Sequence, residues 1–368
     1  MTLPAGGPRL LSLDAFRGLT VAGMVLVNNP GTWAAVYPPL RHAEWHGLTP
    51  TDVVFPFFLF IVGVAIPLAL APRRDEAGRG RALIRVLRRA AVIFALGIVL
   101  NGVPAFDWAT IRIPGVLQRI AVCYALAAVL FLALRWRALA AVTAALLLGY
   151  WGVMTLVPVP GHGRGDLGPE GNLAAWVDRA VLGPHIWRAA RVYDPEGILS
   201  TAPAVATVLL GVLTACWLRT GRLRRALAGG LALAGAVGVA LGAAWGVWFP
   251  VNKALWTSSY VVLTAGLALL VLAACYWAIE IRECRWWATP FVVLGVNALA
   301  LFFLSTLAAR VLTLIRVGGR PLQTLLFERL FAPWAAPASA SLAYAVAYLL
   351  VWWGAMWLLY RGGIRLRA

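Results

Sequence analysis

The repetition of long apolar segments constrains this chain more than any other feature. A helix of about 20 residues is long enough to cross the hydrocarbon core of a bilayer. The chain is 62% hydrophobic and only 12% charged, whereas soluble domains carry about 25% charged residues. We therefore predict an all-α, polytopic membrane helix bundle with about ten spans, at 10–28, 52–72, 88–104, 115–134, 138–157, 201–218, 226–248, 258–279, 288–315 and 341–360.

Two of these predicted spans are less regular than the others. The segment 88–104 is short for a span and follows a loop rich in arginine. The segment 288–315 is longer than a straight crossing requires, so we expect it to be either tilted or broken near Arg310. The chain shows no short-period repeat and no low-complexity linker, and this predicts one transmembrane bundle over 1–368.

The distribution of basic residues predicts the orientation of the bundle. The chain has 32 Lys+Arg against 14 Asp+Glu, a formal net charge of +18. Such an excess in a soluble protein would favour nucleic acid, but here the arginines cluster in short loops between apolar spans, which is typical of cytoplasmic loops. We therefore expect no nucleic-acid partner. We predict cytoplasmic N- and C-termini in a multi-pass protein of the inner (plasma) membrane.

This orientation places the histidines and one long loop on the outer side. The loop at 158–200 is rich in Gly and Pro and carries five carboxylates. A long ordered loop in a compact protein is usually functional. The histidines on this side are all four that the chain contains, namely His42, His46, His162 and His185.

His42 and His46 are the leading candidates for chemistry because they directly precede a span that begins near Asp52. A neutral imidazole can act as a general base or carry an acyl group transiently. The alternative is that both histidines only hydrogen-bond a loop. Their i,i+4 spacing would suit a metal on a helix, but the segment contains Gly and Pro and no third ligand is evident, so we expect no metal.

Other polar residues near the span ends have two interpretations each. Asn28 would lie at the outer end of the first span, where it could donate to a carbonyl oxygen or simply cap the helix. Asp14 and Arg17 lie on one helix face, so they form an ion pair or contact an anionic cosubstrate. Asp52 suits a helix N-cap, a role that is compatible with orienting a nearby histidine.

Three further segments carry polar side chains next to spans. Arginines of the segment RIPGVLQR suit a phosphate or a carboxylate, although arginines at a membrane interface also snorkel. The carboxylates of YDPEGIL could receive an amine or sugar hydroxyls, or cap a helix. The segment PVNKALW holds the only lysine of the chain. The residues concerned are Arg112, Gln118, Arg119, Asp194, Glu196, Asn252 and Lys253.

Several segments in a fixed order resemble the heparan-α-glucosaminide N-acetyltransferase family, within a wider group of transmembrane acyltransferases. They are LSLDAFRG, MVLVN, RHAEWHGLTPTDVVFPFFLFIVG, RIPGVLQR, PVPG, VDRAVLG, YDPEGIL and PVNKALWTSSYV. The resemblance is strong from about Leu10 to Tyr260 and weaker beyond. It implies transfer of an acetyl group from cytoplasmic acetyl-CoA to an amino sugar across the membrane.

The resemblance also implies roles for particular residues. The motif His-x-x-Trp-x-Gly-Leu-Thr assigns the active histidine to His42, as base or acetyl carrier, and the Met-Val-x-Val motif assigns a carbonyl-binding asparagine to Asn28. We predict that acetyl-CoA is contacted by Asp14, Arg17, Arg112, Gln118 and Arg119. The predicted contacts to the sugar are Trp45, Asp52, Asp194, Glu196, Asn252 and Lys253.

Two other functions remain open from the sequence. Some bacterial members of this family are associated with uptake of N-acetylglucosamine, so a membrane transporter without acetyl transfer is the main alternative. An inactive protein that keeps the fold is a third, against which the intact motif around His42 counts. For an enzyme we expect a glucosamine-containing glycan of the cell envelope as acceptor, and a homodimer is a possible assembly.

Overall fold

The computed structural model describes residues 10–71 and 76–366, and these residues form an all-α bundle. This confirms the predicted fold class. Besides the helices, the described residues contain a short antiparallel hairpin of two-residue strands, β1 (Arg316–Val317) and β2 (Arg320–Pro321). The helices are α1 (Leu11–Asn28), α2 (Val54–Leu70), α3 (Glu76–Gly102), α4 (Val116–Ala133), α5 (Trp136–Leu156), α6 (Leu173–Leu182), α7 (Thr201–Leu218), α8 (Arg224–Trp245), α9 (Ser258–Tyr276), α10 (Thr289–Val296), α11 (Ala298–Leu314), α12 (Leu322–Leu330) and α13 (Pro337–Arg361).

Eight helical segments in the described part of the chain are long and apolar enough to cross a membrane, and the bent pair α10–α11 would make nine. The chain is therefore a multi-pass membrane protein. The span predicted at 88–104 falls within α3, which is not among the eight because its middle carries Arg85, Arg88 and Arg89. A total of ten crossings stays a prediction.

The predicted break near Arg310 is wrong, because the chain bends by 79° at Asn297 instead. Arg310 lies within α11, where its guanidinium donates to the Leu100 carbonyl oxygen. The Asn297 side chain donates to the Ile364 carbonyl oxygen at 3.2 Å and accepts the Leu366 N–H at 2.9 Å. Asn297 is therefore the non-helical residue between α10 and α11, and its side-chain amide is hydrogen-bonded to the segment that follows α13.

The bundle has two ends with different chemistry. At one end the Gly31 N–H donates to the Ser341 carbonyl oxygen, which joins the end of α1 to the start of α13. At the other end the Ser12 N–H donates to the Glu280 carboxylate. We call the first the histidine end, with loops 29–53, 103–115, 157–200 and 246–257. The second is the arginine end, with loops 134–135, 219–223, 282–288 and 362–366.

Helix α2 packs closely against α7 through two glycines. A Cβ atom at Gly63 would lie 2.0 Å from the Val208 carbonyl oxygen, and one at Gly211 would lie 2.1 Å from the Phe60 carbonyl oxygen. Small residues let membrane helices approach this closely. The contact fixes α2, which begins at the histidine end directly after the 3-10 turn that carries Asp52.

Candidate functional site

The turn that begins α2 brings a buried carboxylate to the histidine end. A 3-10 turn, Pro50–Val53, follows Thr49 and continues directly into the helix. Thr49 and Asp52 form a capping box, in which Asp52 Oδ2 accepts the Thr49 backbone N–H at 3.1 Å. This box stabilises the start of the helix and holds the carboxylate in one position.

The second oxygen of the Asp52 carboxylate holds the imidazole of His42. Oδ1 lies 2.7 Å from His42 Nδ1, and Oδ2 also accepts the Ala43 N–H at 3.0 Å. Because a carboxylate only accepts, the hydrogen bond requires a proton on Nδ1, so in the neutral imidazole Nε2 is the unprotonated nitrogen. The side chain of His42 is 49% exposed, whereas that of Asp52 is 1% exposed. A fixed tautomer with an accessible Nε2 suits a general base or a nucleophile.

The only lysine of the chain lies against the same imidazole. Lys253 Nζ is 2.9 Å from His42 Nδ1, 3.2 Å from His42 Nε2 and 3.6 Å from Asp52 Oδ1. Burial lowers the pKa of Lys253, although the negative charges of Asp52 and Glu196 act in the opposite direction. A lowered pKa increases the fraction of uncharged amine near neutral pH. We call His42, Asp52 and Lys253 the His42 cluster.

The loop that carries Lys253 is tied to the loop that carries His42. The Gly47 N–H donates to the Val251 carbonyl oxygen at 2.8 Å, and Asn252 Nδ2 donates to His46 Nδ1 at 3.3 Å. Asn252 is fully buried, and its Oδ1 accepts the Leu255 N–H at 2.8 Å. The amide of Asn252 therefore shapes both loops. Burial lowers the pKa of His46, which favours its neutral form.

Trp45 connects the His42 loop to the long loop at 157–200. Its indole N–H donates to the Leu167 carbonyl oxygen at 2.8 Å. Its ring packs edge-on against Tyr193, with 5.0 Å between the ring centroids. This places the segment that contains Asp194 and Glu196 beside the His42 loop.

A second polar cluster consists of Arg112 from the loop at 103–115 and of Asp194 and Glu196 from that segment; we call it the Arg112 cluster. Arg112 donates to both oxygens of Asp194, at 2.9 and 2.6 Å, and to Glu196 Oε2 at 2.5 Å. Burial alone would lower the pKa of Arg112, but the two carboxylates raise it overall. Asp194 has no exposed side-chain surface, and Glu196 is nearly buried. The cluster is therefore a hydrogen-bonded network that joins the loop at 103–115 to the long loop.

Arg119 and Gln118, one helical turn into α4, are both buried but are incompletely bonded. Arg119 NH2 donates to Ser200 Oγ at 2.5 Å and to the Gly197 carbonyl oxygen at 3.2 Å, and the guanidinium lies 5.1 Å from the Trp256 ring centroid. Within the described residues, Arg119 Nε, Arg119 NH1 and Gln118 Nε2 have no hydrogen-bond partner. Unpaired buried donors are costly, so these N–H groups are available to a water molecule or to a polar group of a ligand.

The remaining predicted residues lie along α1. Asp14 and Arg17 form an ion pair of 3.0 Å near the arginine end, as one interpretation of their i,i+3 spacing proposed. Asn28 ends α1 at the histidine end and is exposed, whereas the neighbouring Asn29 is buried and donates to the Val25 carbonyl oxygen. None of the hydrogen bonds found among the described residues joins Asn28 to His42. The predicted acetyl-CoA contacts are thus divided between the two ends of the bundle.

Comparison with known proteins covers most of the chain. Residues 9–181 match a family described as Domain of unknown function (DUF5009). The Heparan-alpha-glucosaminide N-acetyltransferase of Homo sapiens is 31% identical over 355 residues, which cover 82% of this chain and 53% of that protein. The protein of the same name from Mus musculus is 28% identical over 350 residues, covering 80% and 53%. This chain is a homologue of these N-acetyltransferases. It spans about half the length of the curated relatives it matches.

The homology confirms the resemblance that the motifs indicated. The matched family domain includes His42, Asp52, Arg112 and Arg119, while Lys253 lies beyond it. Groups of three or more His, Cys, Asp or Glu side chains that could hold a metal are absent from residues 10–71 and 76–366.

Sequence reasoning missed three residues that support the site. Tyr260 donates to the Asp52 carbonyl oxygen at 2.6 Å, and Ser200 accepts from Arg119. Asp178 is buried in the long loop and accepts the Ile198 N–H at 2.8 Å. Two signals were available: the motif WTSSY contains Tyr260, and the motif VDRAVLG contains Asp178. The partners of Tyr260, Ser200 and Asp178 could not be predicted because they are distant in sequence.

Proposed function

We propose that this chain is a membrane acetyltransferase that moves an acetyl group from acetyl-CoA to the amino group of an amino sugar. The homology to proteins named N-acetyltransferases supports the reaction class. The observation that carries the proposal is the 2.7 Å contact between Asp52 Oδ1 and His42 Nδ1. It holds an exposed imidazole in the tautomer that either step of acetyl transfer requires.

In the proposed mechanism His42 acts and Asp52 positions it. His42 Nε2 takes a proton from the acceptor amine as that amine attacks the thioester carbonyl, or takes the acetyl group first and then passes it on. Asp52 keeps the proton on Nδ1 and stabilises the imidazolium that forms. Because its oxygens already bond protein groups, we assign Asp52 to positioning rather than to the sugar.

The acetyl-CoA contacts are proposed from the unpaired donors. Arg119 and Gln118 offer buried N–H groups without partners among the described residues, which suits a carbonyl or an anionic group of acetyl-CoA. Arg112 is already paired with two carboxylates and suits this role less well. Asn28 remains proposed as a donor to the thioester carbonyl, and Asp14 with Arg17 as contacts nearer the arginine end.

The two ends of the bundle suit two compartments. Arginine loops at one end favour the cytoplasmic side by the positive-inside rule, and we propose that acetyl-CoA enters there. The histidine end would then face outward, where the acceptor reaches His42. We propose an inner-membrane location and a glucosamine-containing glycan of the cell envelope as acceptor. The indole ring of Trp45 would contact the sugar ring.

The test is acetyl transfer by purified protein in detergent, with radiolabelled acetyl-CoA and a panel of glucosamine acceptors. We expect labelled product from the wild type. His42→Ala should lower the rate by about 10²–10⁴-fold, the usual contribution of a general base, while the matched control His46→Ala keeps activity. If no preparation forms product or binds acetyl-CoA, the enzyme proposal fails, and sugar uptake by vesicles would test the transporter alternative.

A further inference from the structure

The use of lysine in this chain is confined to one place. Of 32 Lys+Arg residues, a single one is lysine, at position 253, so every other permanent basic side chain is an arginine. Arginine supplies a positive charge but keeps its protons at any physiological pH, whereas a lysine can lose one and become a nucleophile. The chain therefore places its only primary amine of this kind beside His42.

The amine of Lys253 lies within the distance of His42 that a reacting substrate amine must reach. An amine that gives its proton to a histidine base lies within about 2.6–3.2 Å of the accepting nitrogen. Lys253 Nζ lies 2.9 Å from His42 Nδ1 and 3.2 Å from Nε2, and Nε2 is the nitrogen that the Asp52 hydrogen bond leaves unprotonated in the neutral imidazole. An amino sugar poised for transfer would need its nitrogen at a similar distance from Nε2.

The surroundings of Lys253 favour reaction over a purely structural ion pair. Its side chain is 23% exposed, so a small electrophile can approach it, while burial of the rest lowers its pKa. Its separation of 3.6 Å from Asp52 Oδ1 is longer than the 2.7 Å between Asp52 and His42. The carboxylate therefore bonds the imidazole more directly than the ammonium, and the amine is not locked by it.

We propose that Lys253 is an acetylation site of this protein, modified by its own active site when no acceptor is bound. The inference rests on the proposed function. The uncharged Nζ attacks the acetyl carbonyl of acetyl-CoA, the C–S bond breaks, and an amide forms. The ammonium loses two protons overall, one through His42 to solvent and one to the departing thiolate, so free CoA and N-acetyl-lysine are the products.

Acetylation would remove the positive charge and fill the space beside Nε2. The modified protein would then retain acetyl-CoA binding but lose sugar acetylation, because the position for the acceptor amine is occupied. An acceptor bound at His42 should protect Lys253 by displacing its amine from Nε2.

The experiment incubates the purified full chain with acetyl-CoA carrying an isotopic label in the acetyl group, with and without glucosamine, and maps modified peptides by mass spectrometry. With one lysine in the chain, the peptide identifies the site without ambiguity. We expect labelled Lys253 in the wild type and in His46→Ala, at least tenfold less in His42→Ala, and slower labelling with glucosamine. Lys253→Arg should show no labelled lysine.

Sugar acetylation is measured in the same samples, so that the two proposals fail separately. If glucosamine is acetylated but Lys253 stays unmodified without acceptor, the inference is overturned while the proposed function stands. If Lys253 is labelled equally fast in His42→Ala, the reaction is ordinary solution chemistry and the inference is also overturned. Absence of both products contradicts the proposed function together with the inference.

Discussion

The His42 cluster and the Arg112 cluster use similar residues at the same end of the bundle but are built differently. In the Arg112 cluster one guanidinium satisfies two nearly buried carboxylates. In the His42 cluster one buried carboxylate serves an imidazole that is 49% exposed, with an amine beside it. The first arrangement is closed and holds a loop in place. The second is open on one side, which is what a reacting group requires.

The largest effect should come from removing the carboxylate of the open cluster. In Asp52→Asn the amide must either turn its NH₂ toward His42 Nδ1 or turn it toward the Ala43 and Thr49 N–H groups. The first choice selects the wrong tautomer, and the second leaves donors facing each other. We expect the acetyl-transfer rate to fall by about 10²–10⁴-fold, measured per folded protein.

The matched control is another Asp→Asn change beside a histidine. Asp166 lies 3.4 Å from His162 in the long loop, and both side chains are more than one-third exposed. Asp166→Asn should leave the rate within about twofold, because an exposed pair contributes little. Equal losses in the two variants would show that the His42–Asp52 contact has no special role.

The next effect concerns the closed cluster and should appear in stability. Arg112→Met leaves two buried carboxylates without their partner. Breaking a buried ion pair in this way costs about 3–5 kcal/mol of unfolding free energy. Thermal unfolding in detergent would measure this loss. Arg188→Met is the control, because Arg188 is exposed and its ion pair with Asp107 is long, at 3.8 Å. An unchanged unfolding temperature for Arg112→Met would mean that the cluster is not structural.

The sequence predicted the positions of the helices better than the side-chain contacts between them. Apolar length located the helices, for example 201–218, to within a few residues, since span length depends only on bilayer thickness. The bend at Asn297 was missed because its partners, Ile364 and Leu366, are almost 70 positions away. The same limit explains why Lys253 was not placed against His42, although each residue was singled out separately.

A smaller, pH-dependent effect should distinguish Asp178, which lies beside the closed cluster. Burial and the charge of Asp194 raise its pKa to about 6, although the Ile198 N–H opposes this. The folded state thus binds more protons than the unfolded state between pH 4 and 6, and the stability that protonation contributes is lost as the pH rises through about 6. Asp178→Asn should therefore become more stable relative to wild type by up to about 3 kcal/mol from pH 4 to 7.

That comparison uses unfolding in denaturant at several pH values, with Asp166→Asn as the control for an exposed carboxylate. The difference between Asp178→Asn and wild type should grow with pH, and Asp166→Asn reports the effect of the same change at an exposed position of the same loop. A difference that is constant from pH 4 to 7 would show that Asp178 titrates normally in the folded protein.

The smallest effect should come from His162, which shares the histidine end with His42 but lies in neither cluster. Its only ion-pair partner among the described residues is Asp166, at 3.4 Å, and its side chain is 38% exposed. His162→Ala should change the unfolding free energy by less than about 1 kcal/mol and the transfer rate by less than about twofold. Comparing the transfer rates of His162→Ala and His42→Ala tests whether any histidine at this end of the bundle contributes to the reaction. A loss in His162→Ala comparable to that of His42→Ala would extend the reactive region into the long loop and end the distinction between an open and a closed cluster.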